Sequence, residues 1–222
     1  MSEQDVTLED FSDSSGNQNH DQTWEGYQLR ELVEQLQAGG TPDTDKNEYY
    51  DGDIPWVKTG ELGQLNVAST GQSITEQGLE ESAARLFPSK TVLIAMYGAT
   101  TGEVSILDIE AATNQACCGI IPNKRLNPYY LYYQLVREKK QLESLSAGSG
   151  QQNISKSILE KYKLPVAPLP EQRKIAIVLH TVDQAIQKTE EIVEQAHTIK
   201  KSLMQDIFHG YHKNFTDYHT TP

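Results

Sequence analysis

One long segment near the C-terminus constrains the fold of this chain more than any other feature. It opens with the proline-rich run Leu164–Pro170 and continues from Glu171 with neither Gly nor Pro before Gly210. Because proline suits the first turn of a helix but not its interior, this arrangement predicts a helix over residues 171–208. At 1.5 Å per residue such a helix is roughly 55 Å long, more than a compact domain of this size uses internally.

Apolar residues recur along this segment at alternating spacings of four and three. That heptad pattern, held for about four repeats, is typical of a helix that packs lengthwise on another helix. Lys200 interrupts the pattern, Thr189 and Ile207 continue it, and Val178, Ile192 and Ile199 widen the apolar stripe. A core helix of the same domain is the alternative, but we favour a spacer and oligomerisation arm. The candidate dimerisation residues are Ile175, Leu179, Val182, Ile186, Val193, Ala196 and Leu203.

A length of 222 residues with 37% apolar content allows one domain of ordinary size and an appendage. No stretch approaches the roughly 20 apolar residues that cross a bilayer, and the N-terminus lacks a signal-peptide pattern, so we expect a cytoplasmic protein. The two cysteines, Cys117 and Cys118, are adjacent. Neighbouring cysteines rarely form a relaxed disulfide, and without a His cluster they make no metal site. We therefore expect two buried thiols and no bound metal.

The net charge of −12 argues at first sight against a nucleic-acid partner, because phosphate binding requires cations. The charge is unevenly distributed, however. Residues 1–23 carry −6 and residues 24–123 carry −10, whereas residues 124–163 hold eight Lys or Arg against three acids. A basic segment inside an acidic chain is either an electrostatic footprint for a polyanion or an ordinary solvated helix face. Charge alone leaves both interpretations open.

The order of the predicted elements indicates an α+β fold, with a small mixed β-sheet in a globular domain followed by a long coiled-coil-forming helix. Residues 1–22 are polar and acidic and predict a disordered tail, because they cannot bury enough surface to offset the entropy of ordering. We place the globular domain at 23–170, the long helix at 171–208 and a tail at 209–222. The elements expected inside the domain are a helix through Leu29, Leu32, Val33 and Leu36, a strand over 54–58, a helix over 76–85, paired strands over 91–96 and 103–107, a strand over 114–122, a helix beginning at Asn127 and Pro128, and a short helix and strand ending at Val166.

Catalytic signatures are weak in this sequence. The run Gly98–Glu103 lacks the spacing and the Lys of a phosphate-binding loop and fits a tight connection between two strands. The histidines lie in the predicted tails or on the long helix, without a nucleophile and carboxylate arranged as a triad. The run Asn127–Tyr130 looks like the Asn-Pro-Pro-Tyr motif of adenine-N6 methyltransferases, but Tyr129 replaces the second proline. As a helix start it is well explained, with Asn as the cap and Pro at the first helical position.

What remains is a set of polar loop residues of the types that read nucleic acid. Thr, Asn and Gln offer hydrogen bonds to base edges, Lys meets phosphates, and Tyr stacks. The alternative is that these side chains satisfy the backbone of their own loops. The candidate DNA-binding residues are Lys58, Thr59, Glu61, Tyr97, Ala99, Thr100, Thr101, Asn114, Gln115, Ser149, Gln151, Gln152, Asn153 and Lys156.

Taken in order, the motifs of residues 24–208 resemble one half of a type I restriction–modification specificity subunit. Each motif alone is weak, but their order and the closing Pro-Leu-Pro-Glu-Gln before a long helix are fairly specific. The motifs are Trp24 with Leu29; Gly39-Gly40-Thr41-Pro42; Tyr50 and Gly52; Ile54-Pro55-Trp56-Val57; Leu86-Phe87-Pro88 before Thr91-Val92-Leu93; Gly98-Ala99-Thr100-Thr101-Gly102; Asn114-Gln115; Gln152-Asn153-Ile154-Ser155; Leu164-Pro165; and Pro168-Leu169-Pro170-Glu171-Gln172-Arg173-Lys174-Ile175.

The resemblance implies a recognition subunit without catalytic activity. Full-length family members look like two such units in tandem, with two long helices packed antiparallel and each recognition domain reading half of a bipartite DNA site. This sequence has one unit, so the resemblance implies that two copies pair through the long helix, or that the chain pairs with a different half. It also implies partner methyltransferase subunits, which bind S-adenosylmethionine and flip the target adenine, and possibly a restriction or translocase subunit. No cofactor is expected on this chain.

Two other classes of function stay open from the sequence. A coiled-coil adaptor would use the long helix and would not bind DNA. A methyltransferase is disfavoured because a glycine-rich methyl-donor turn is absent before Asn127. The base sequence recognised and the spacing of its halves cannot be read from these loops.

Overall fold

The computed structural model describes the backbone of residues 24–146 and 153–217, and these residues form eleven strands and four α-helices. The strands are β1 (Glu25–Gln28), β2 (Val33–Ala38), β3 (Tyr50–Val57), β4 (Asn66–Val67), β5 (Ser73–Ile74), β6 (Leu86–Phe87), β7 (Val92–Ala95), β8 (Val104–Leu107), β9 (Ala111–Thr113), β10 (Cys117–Pro122) and β11 (Lys163–Val166). The α-helices are α1 (Glu76–Glu80), α2 (Pro128–Ser146), α3 (Lys156–Lys161) and α4 (Leu169–Asp217), and short 3-10 helices cover Leu29–Glu31, Asn47–Tyr49 and Thr59–Glu61.

The strands form three small sheets, which confirms the predicted α+β class with mixed sheets. The orders are β2-β10-β7-β8-β4, β5-β3-β9-β6 and β1-β11. The pairs β3–β9 and β4–β8 are parallel and the others are antiparallel. The predicted partnership of residues 91–96 with 103–107 is confirmed, because β7 and β8 pair with Leu93 opposite Ser105.

Strand β7 is apolar throughout because both of its faces are buried. Val92 and Ile94 belong to one core cluster, together with Leu131 and Leu135 of α2, whereas Leu93 belongs to a second cluster. Successive side chains of a strand point to opposite faces, so a strand buried on both sides reads as a continuous apolar run. This strand therefore sits between two cores.

The adjacent cysteines follow the same alternation. Cys117 lies in the second cluster and Cys118 in the first, and both are free and buried. Burial raises the pKa of each thiol to about 12. The prediction of two buried thiols is confirmed, and their opposite directions explain why they do not form a disulfide.

The helix predicted at the start of the domain is wrong. Leu29 and Leu32 lie in and just after a 3-10 turn, and residues 33–38 form β2. Strand β2 pairs antiparallel with β10, with Leu36 opposite Ile120. The apolar spacing resembled that of an α-helix because a 3-10 turn also places residues three apart on one side. Residues 33–38 are extended because they pair with β10.

Several other elements have boundaries that differ from the predicted ones, and β3 spans Tyr50–Val57 where a strand over 54–58 was expected. Helix α1 ends at Glu80, and residues 86–87 form β6 against β9. Strand β10 begins at Cys117, because its amide closes a turn onto the carbonyl of Asn114 at 3.1 Å. Helix α4 begins at Leu169 and extends to Asp217, into the segment predicted as a tail. Gly210 lies within it, since one glycine costs about 1 kcal/mol relative to Ala and does not end a helix by itself.

The helix predicted from Asn127 is confirmed as α2. The Asn127 side chain accepts hydrogen bonds from the amides of Tyr129 at 3.0 Å and Tyr130 at 3.1 Å, and Pro128 is the first helical residue. These bonds satisfy backbone donors that have no partner inside the helix. The Asn-Pro pair therefore acts as a helix start.

The described residues fall into two units, one ending at Ile177 and the other beginning at Val178. The first unit includes the start of α4, which a buried amide attaches to the domain. Gln172 is only 1% exposed, and its Nε2 donates to the carbonyls of Arg125 at 2.9 Å and Ala167 at 2.8 Å. Its Oε1 accepts from the amide of Asn127 at 2.8 Å. The Gln of the Pro-Leu-Pro-Glu-Gln motif thus ties the first turn of α4 to the segment before α2 and to the end of β11.

Replacing Gln172 by Leu leaves three backbone groups without their partner inside the protein. Because a buried polar group without a partner costs about 1–3 kcal/mol, we expect Gln172→Leu to lower the free energy of unfolding by about 3 kcal/mol. Urea denaturation followed by far-UV circular dichroism measures this change. Arg173→Leu, at the exposed neighbouring position, is the matched control and should stay within 0.5 kcal/mol or so of the parent. A loss below about 1 kcal/mol for Gln172→Leu would contradict this role.

Candidate nucleic-acid interface

The parallel pairing of β3 and β9 brings two of the predicted loops together. Val57, the last residue of β3, lies opposite Thr113, the last residue of β9. The amide of Asn114 donates to the carbonyl of Val57 at 2.9 Å. Parallel strands end at the same edge of a sheet, so the loops that begin after β3 and β9, which carry Lys58 and Gln115, start side by side.

Two further segments continue this edge. The amide of Met96 donates to the carbonyl of Ala116 at 2.8 Å, and the amide of Ile154 donates to the carbonyl of Met96 at 2.7 Å. The Gln115 side chain also hydrogen-bonds Tyr97. We call the resulting surface the loop row, which consists of residues 58–61, 96–97, 114–116 and 153–156.

The loop row brings together eight of the predicted DNA-binding residues. Gln115, Asn153 and Lys156 are exposed. The others of the set are partly buried, and these are Lys58, Thr59, Glu61, Tyr97 and Asn114. Exposed amides and ammonium groups on adjoining loops can hydrogen-bond base edges and contact phosphates.

The cations and the phenol of the loop row have defined surroundings. The Lys58 ammonium lies 5.2 Å from the centre of the Trp56 ring, and Lys156 pairs with Glu160 at 3.6 Å. Burial raises the pKa of Tyr97, repulsion between its phenolate and an ionised Cys117 would add to the rise, and the hydrogen bond from Gln115 opposes it. Tyr97 is therefore a neutral phenol at physiological pH, able to donate a hydrogen bond as well as stack.

Glu61 acts within the loop rather than outward from it. Its carboxylate accepts hydrogen bonds from the amides of Lys58 at 2.8 Å and Gly71 at 2.8 Å, and from the Thr70 hydroxyl at 2.9 Å. The Thr70 hydroxyl oxygen also lies 3.0 Å from the carbonyl oxygen of Trp56, within hydrogen-bond distance. These bonds hold the turn after β3 against residues 70–71, which favours a structural role for this carboxylate.

The connection between β7 and β8 is a tight turn, as predicted in place of a phosphate-binding loop. Thr101 is buried, and its hydroxyl donates to the carbonyl of Gly98 at 2.7 Å. Gly98 and Gly102 have φ angles of +94° and +80°, in the region that favours glycine. Of the predicted residues in this turn, Ala99 is exposed, Thr100 is half-buried, and Thr101 holds the turn.

The Gly39-Gly40 motif explains how closely the backbone packs beneath the loop row. A Cβ on Gly39 would lie 2.1 Å from the Thr113 hydroxyl, and one on Gly40 would lie 2.1 Å from the Ala83 backbone. The Gly40 amide donates to the carbonyl of Thr113 at 2.9 Å, and the Trp56 indole donates to the carbonyl of Gly40 at 3.1 Å. The motif therefore supports the loops by allowing close approach of the chain.

The predicted site and the described loop row differ in two ways. The predicted residues Ser149, Gln151 and Gln152 lie outside the described residues. Sequence reasoning missed residues 70–72, which adjoin the loop row through Glu61. The only signal for them was the turn residue Gly71 with polar neighbours, which is common to many surface loops.

The basic segment 124–163 uses part of its charge within the domain. Lys139 pairs with Glu103 at 2.6 Å, and Arg137 pairs with Glu138 at 2.7 Å. Arg125 lies over the Tyr27 ring at 4.7 Å. Because these cations are paired or packed within the domain, the described part of the basic segment does not form one continuous surface for binding a polyanion. Lys156, which belongs to the loop row, is the member of the segment that stays in the candidate site.

Within residues 24–146 and 153–217, no group of three or more His, Cys, Asp and Glu side chains could hold a metal ion. No helix in these same ranges is both long and apolar enough to span a bilayer.

The predicted dimerisation residues divide between two environments. Ile175 packs against the core of the first unit. The other six are exposed along α4, with half of the Ile186 side chain (51%) and of the Leu203 side chain (54%) open to solvent. Val178, Ile192, Ile199 and Ile207 are exposed as well. Helix α4 thus carries an apolar stripe that the described residues leave uncovered.

Comparison with known proteins gives one consistent family. Residues 21–196 match the family model described as the type I restriction modification DNA specificity domain. The chain is 33% identical over 181 residues to the type I restriction enzyme MjaIX specificity subunit of Methanocaldococcus jannaschii, and 26% identical over 152 residues to the EcoR124I/EcoR124II specificity subunit of Escherichia coli. These alignments cover 78% and 66% of this chain but only 41% and 38% of the relatives. The chain thus spans about two fifths of the length of the curated relatives it matches.

Solved structures share the fold at low sequence identity. A chain from a structure of the type I R-M system, described for its complex assembly and conformational transition, matches with a TM-score of 0.66 at 18% identity, over 87% of this chain and 47% of that one. The HsdS subunit from Thermoanaerobacter tengcongensis matches with a TM-score of 0.59 at 18% identity, over 79% and 41%.

Because Glu61 ties two loops together through charge-assisted hydrogen bonds, we expect Glu61→Ala to lower the free energy of unfolding by about 2–3 kcal/mol. Thermal and urea denaturation measure this loss, and Glu110→Ala, at an exposed position, serves as the control. If Glu61→Ala left stability unchanged but weakened DNA binding, the carboxylate would belong to the readout surface instead.

Proposed function

Since the chain belongs to the family of type I restriction modification DNA specificity domains, we propose that it is a DNA-recognition subunit that reads double-stranded DNA with its loop row and has no catalytic role of its own. The observation that carries this proposal is the juxtaposition of four polar segments at one edge of the sheets, linked by backbone hydrogen bonds of 2.7–2.9 Å. A rigid framework with polar tips at one edge is the arrangement that groove recognition requires.

Within the loop row, the side chains divide by the contact they can make. Lys58 and Lys156 supply point charges for phosphates, which position the protein without reading sequence. Gln115 and Asn153 carry both a donor and an acceptor, so each can pair with a base edge in the major groove. Tyr97 lies beside Gln115 and hydrogen-bonds its side chain.

We further propose that the chain acts in the cytoplasm with methyltransferase subunits, and possibly a restriction or translocase subunit. These subunits would supply the chemistry, including the S-adenosylmethionine and the flipped adenine. Basic partners would also supply phosphate contacts, which makes an acidic recognition subunit with a net charge of −12 workable. The salt dependence of DNA affinity tests this last point, because its slope should be steeper for the complex than for the isolated chain.

Helix α4 supports a two-copy arrangement, because its uncovered apolar stripe offers a surface for a second helix. Two copies related by a two-fold axis would present two loop rows to the two halves of a palindromic, bipartite site. A coiled-coil adaptor without DNA readout would use the same stripe, and it is distinguished by a lack of DNA binding.

We expect substitutions in the loop row to separate positioning from readout. Lys58→Ala should weaken binding to all sequences and reduce the salt slope by about one, whereas Gln115→Ala should relax preference at one base pair by about 1–3 kcal/mol. Selection from random split duplexes identifies the target, and fluorescence anisotropy at several salt concentrations then measures both effects. Lys163→Ala, in β11 and outside the loop row, is the matched control. Equal losses for all three variants would contradict the proposed site.

We expect the purified chain to be a dimer that Ile186→Asp dissociates, because a charge in the middle of the apolar stripe cannot be desolvated against a second helix. Light scattering measures the mass of both proteins. Thr198→Asp, on the opposite side of α4, should remain dimeric. A monomeric parent would mean that the stripe is covered by a methyltransferase or by a different half subunit.

A further inference from the structure

The apolar stripe of α4 contains two polar positions, and their places in the heptads restrict how two copies can pair. In heptad notation the a positions are Leu179, Ile186, Val193, Lys200 and Ile207, and the d positions are Val182, Thr189, Ala196 and Leu203. The polar members are Thr189 and Lys200. A polar residue in the seam of a coiled coil selects the register and orientation that accommodate it.

A parallel pair is unfavourable because it matches a with a and d with d. It would set Lys200 against Lys200 of the second copy, so that two ammonium groups would meet in the seam. An antiparallel pair matches a with d instead, and it offers a limited set of registers that differ by one heptad.

The family resemblance already implies an antiparallel pair, and for that pair we propose the register that sets Lys200 of each copy opposite Thr189 of the other. This inference rests on the homodimer of the proposed function and specifies its geometry. The same register sets Val193 opposite Ala196, Ile186 opposite Leu203, and Val182 opposite Ile207. Every apolar seam residue from Val182 to Ile207 then faces another apolar residue, and the two polar positions face each other.

The flanking positions support this register independently of the seam. In antiparallel pairs, e positions lie beside e positions and g positions beside g positions. The register sets Glu190 beside His197 of the second copy. It also sets Ile192 beside Ile199, which covers two of the residues that widen the stripe and are 64% and 61% exposed in the single chain. The pairing of a carboxylate with an imidazole, which can donate a hydrogen bond to it, and the apolar burial therefore agree with the placement of the polar seam residues.

A shift of one heptad in either direction loses these matches. One shift sets Lys200 opposite Val182 and Glu190 beside Glu190 of the second copy. The other sets Lys200 opposite Ala196 and Thr189 opposite Ile207, and it brings Ile192 beside Asp206. Each alternative places a charge against an apolar seam residue and spoils a flanking pair, which is how a single buried polar position excludes wrong registers.

The register determines a distance that matters for a split DNA site. It centres the two-fold axis between Glu194 and Gln195, so the two copies of Ile177, where the first unit ends, lie about 50 Å apart along the helix axis. A slip of one heptad changes this distance by about 10 Å, which is about three base pairs of duplex. The Lys200–Thr189 pairing would thus fix the preferred separation of the half-sites.

Paired cysteine substitutions test the register directly. Ile186→Cys with Leu203→Cys should form an intermolecular disulfide on mild oxidation, because these positions face each other in the proposed register. Ile186→Cys with Ala196→Cys reports one shifted register, and Val193→Cys with Leu203→Cys reports the other. In each variant the two cysteines lie about 15 Å or more apart within one helix, beyond the roughly 7 Å limit for a disulfide within one chain. Native Cys117 and Cys118 are buried, and burial raises the pKa of each thiol to about 12, so they should not react.

We expect only the first variant to run as a covalent dimer on a non-reducing gel. Cross-linking of another variant alone would overturn the register and leave the homodimer intact, and cross-linking of all three would indicate a parallel pair and overturn the orientation. A parent chain that is monomeric by light scattering would overturn the homodimer itself.

The Lys200→Leu substitution tests whether Lys200 selects the register. It should keep the dimer but allow the cysteine pairs of the shifted registers to cross-link, and an unchanged cross-linking pattern would contradict the role of Lys200.

Discussion

The hydrogen-bonded pair of strands β7 and β10 is the element on which the rest of the domain depends. Both strands are buried on two faces, so each residue step moves a side chain from one core cluster to the other. Cys117 and Cys118 show this alternation most plainly, and Gly119 packs its backbone against the Phe87 ring, where a Cβ would lie 2.4 Å from a ring carbon. Met96, directly after β7, and Ala116, directly before β10, lie in the middle of the loop row. Because core packing fixes these two strands, it also fixes the position of the candidate site.

The family motifs sort into those that hold the fold and those that face outward. Gly39 and Gly40 permit close backbone approach, Gln172 satisfies three backbone groups, and Asn127 caps a helix. The hydrogen bonds of Gln172 and Asn127 thus serve the backbone of the domain itself. Gln115, by contrast, is exposed on a turn that Asn114 anchors through its backbone. A domain of this design can vary its outward side chains while its framework stays the same, because the framework holds the loop row through backbone hydrogen bonds that do not depend on those side chains.

Sequence reasoning succeeded where a local signal and the global structure agreed. The run 91–96 was apolar enough to be a strand buried on two faces, and Asn127 with Pro128 was a sufficient helix start. It failed at residues 29–36, where a 3-10 turn and an edge strand gave the spacing of a helix until the pairing with β10 was known. The role of Glu61 was also out of reach, because its partners Gly71 and Thr70 are about ten residues away and only the folded loop brings them together. The neighbourhood of Lys58 and Gln115 followed from the parallel pairing of β3 with β9, and Tyr97 and Asn153 joined it through the backbone hydrogen bonds of Met96 and Ile154. No periodicity in the sequence reveals these contacts.

In the proposed function, recognition and spacing are separate physical problems assigned to separate parts of the chain. Base readout depends on a few polar atoms held to within fractions of an ångström by the strands beneath them. Spacing depends on the number of helical residues between the domain and the two-fold axis, and it changes in steps of whole heptads. A single Lys in the seam can therefore select one spacing without touching DNA, because the cost of desolvating its charge against an apolar residue is paid only in the wrong registers. An acidic protein can in this way define a long split site by geometry, and leave most of the phosphate contacts to its partners.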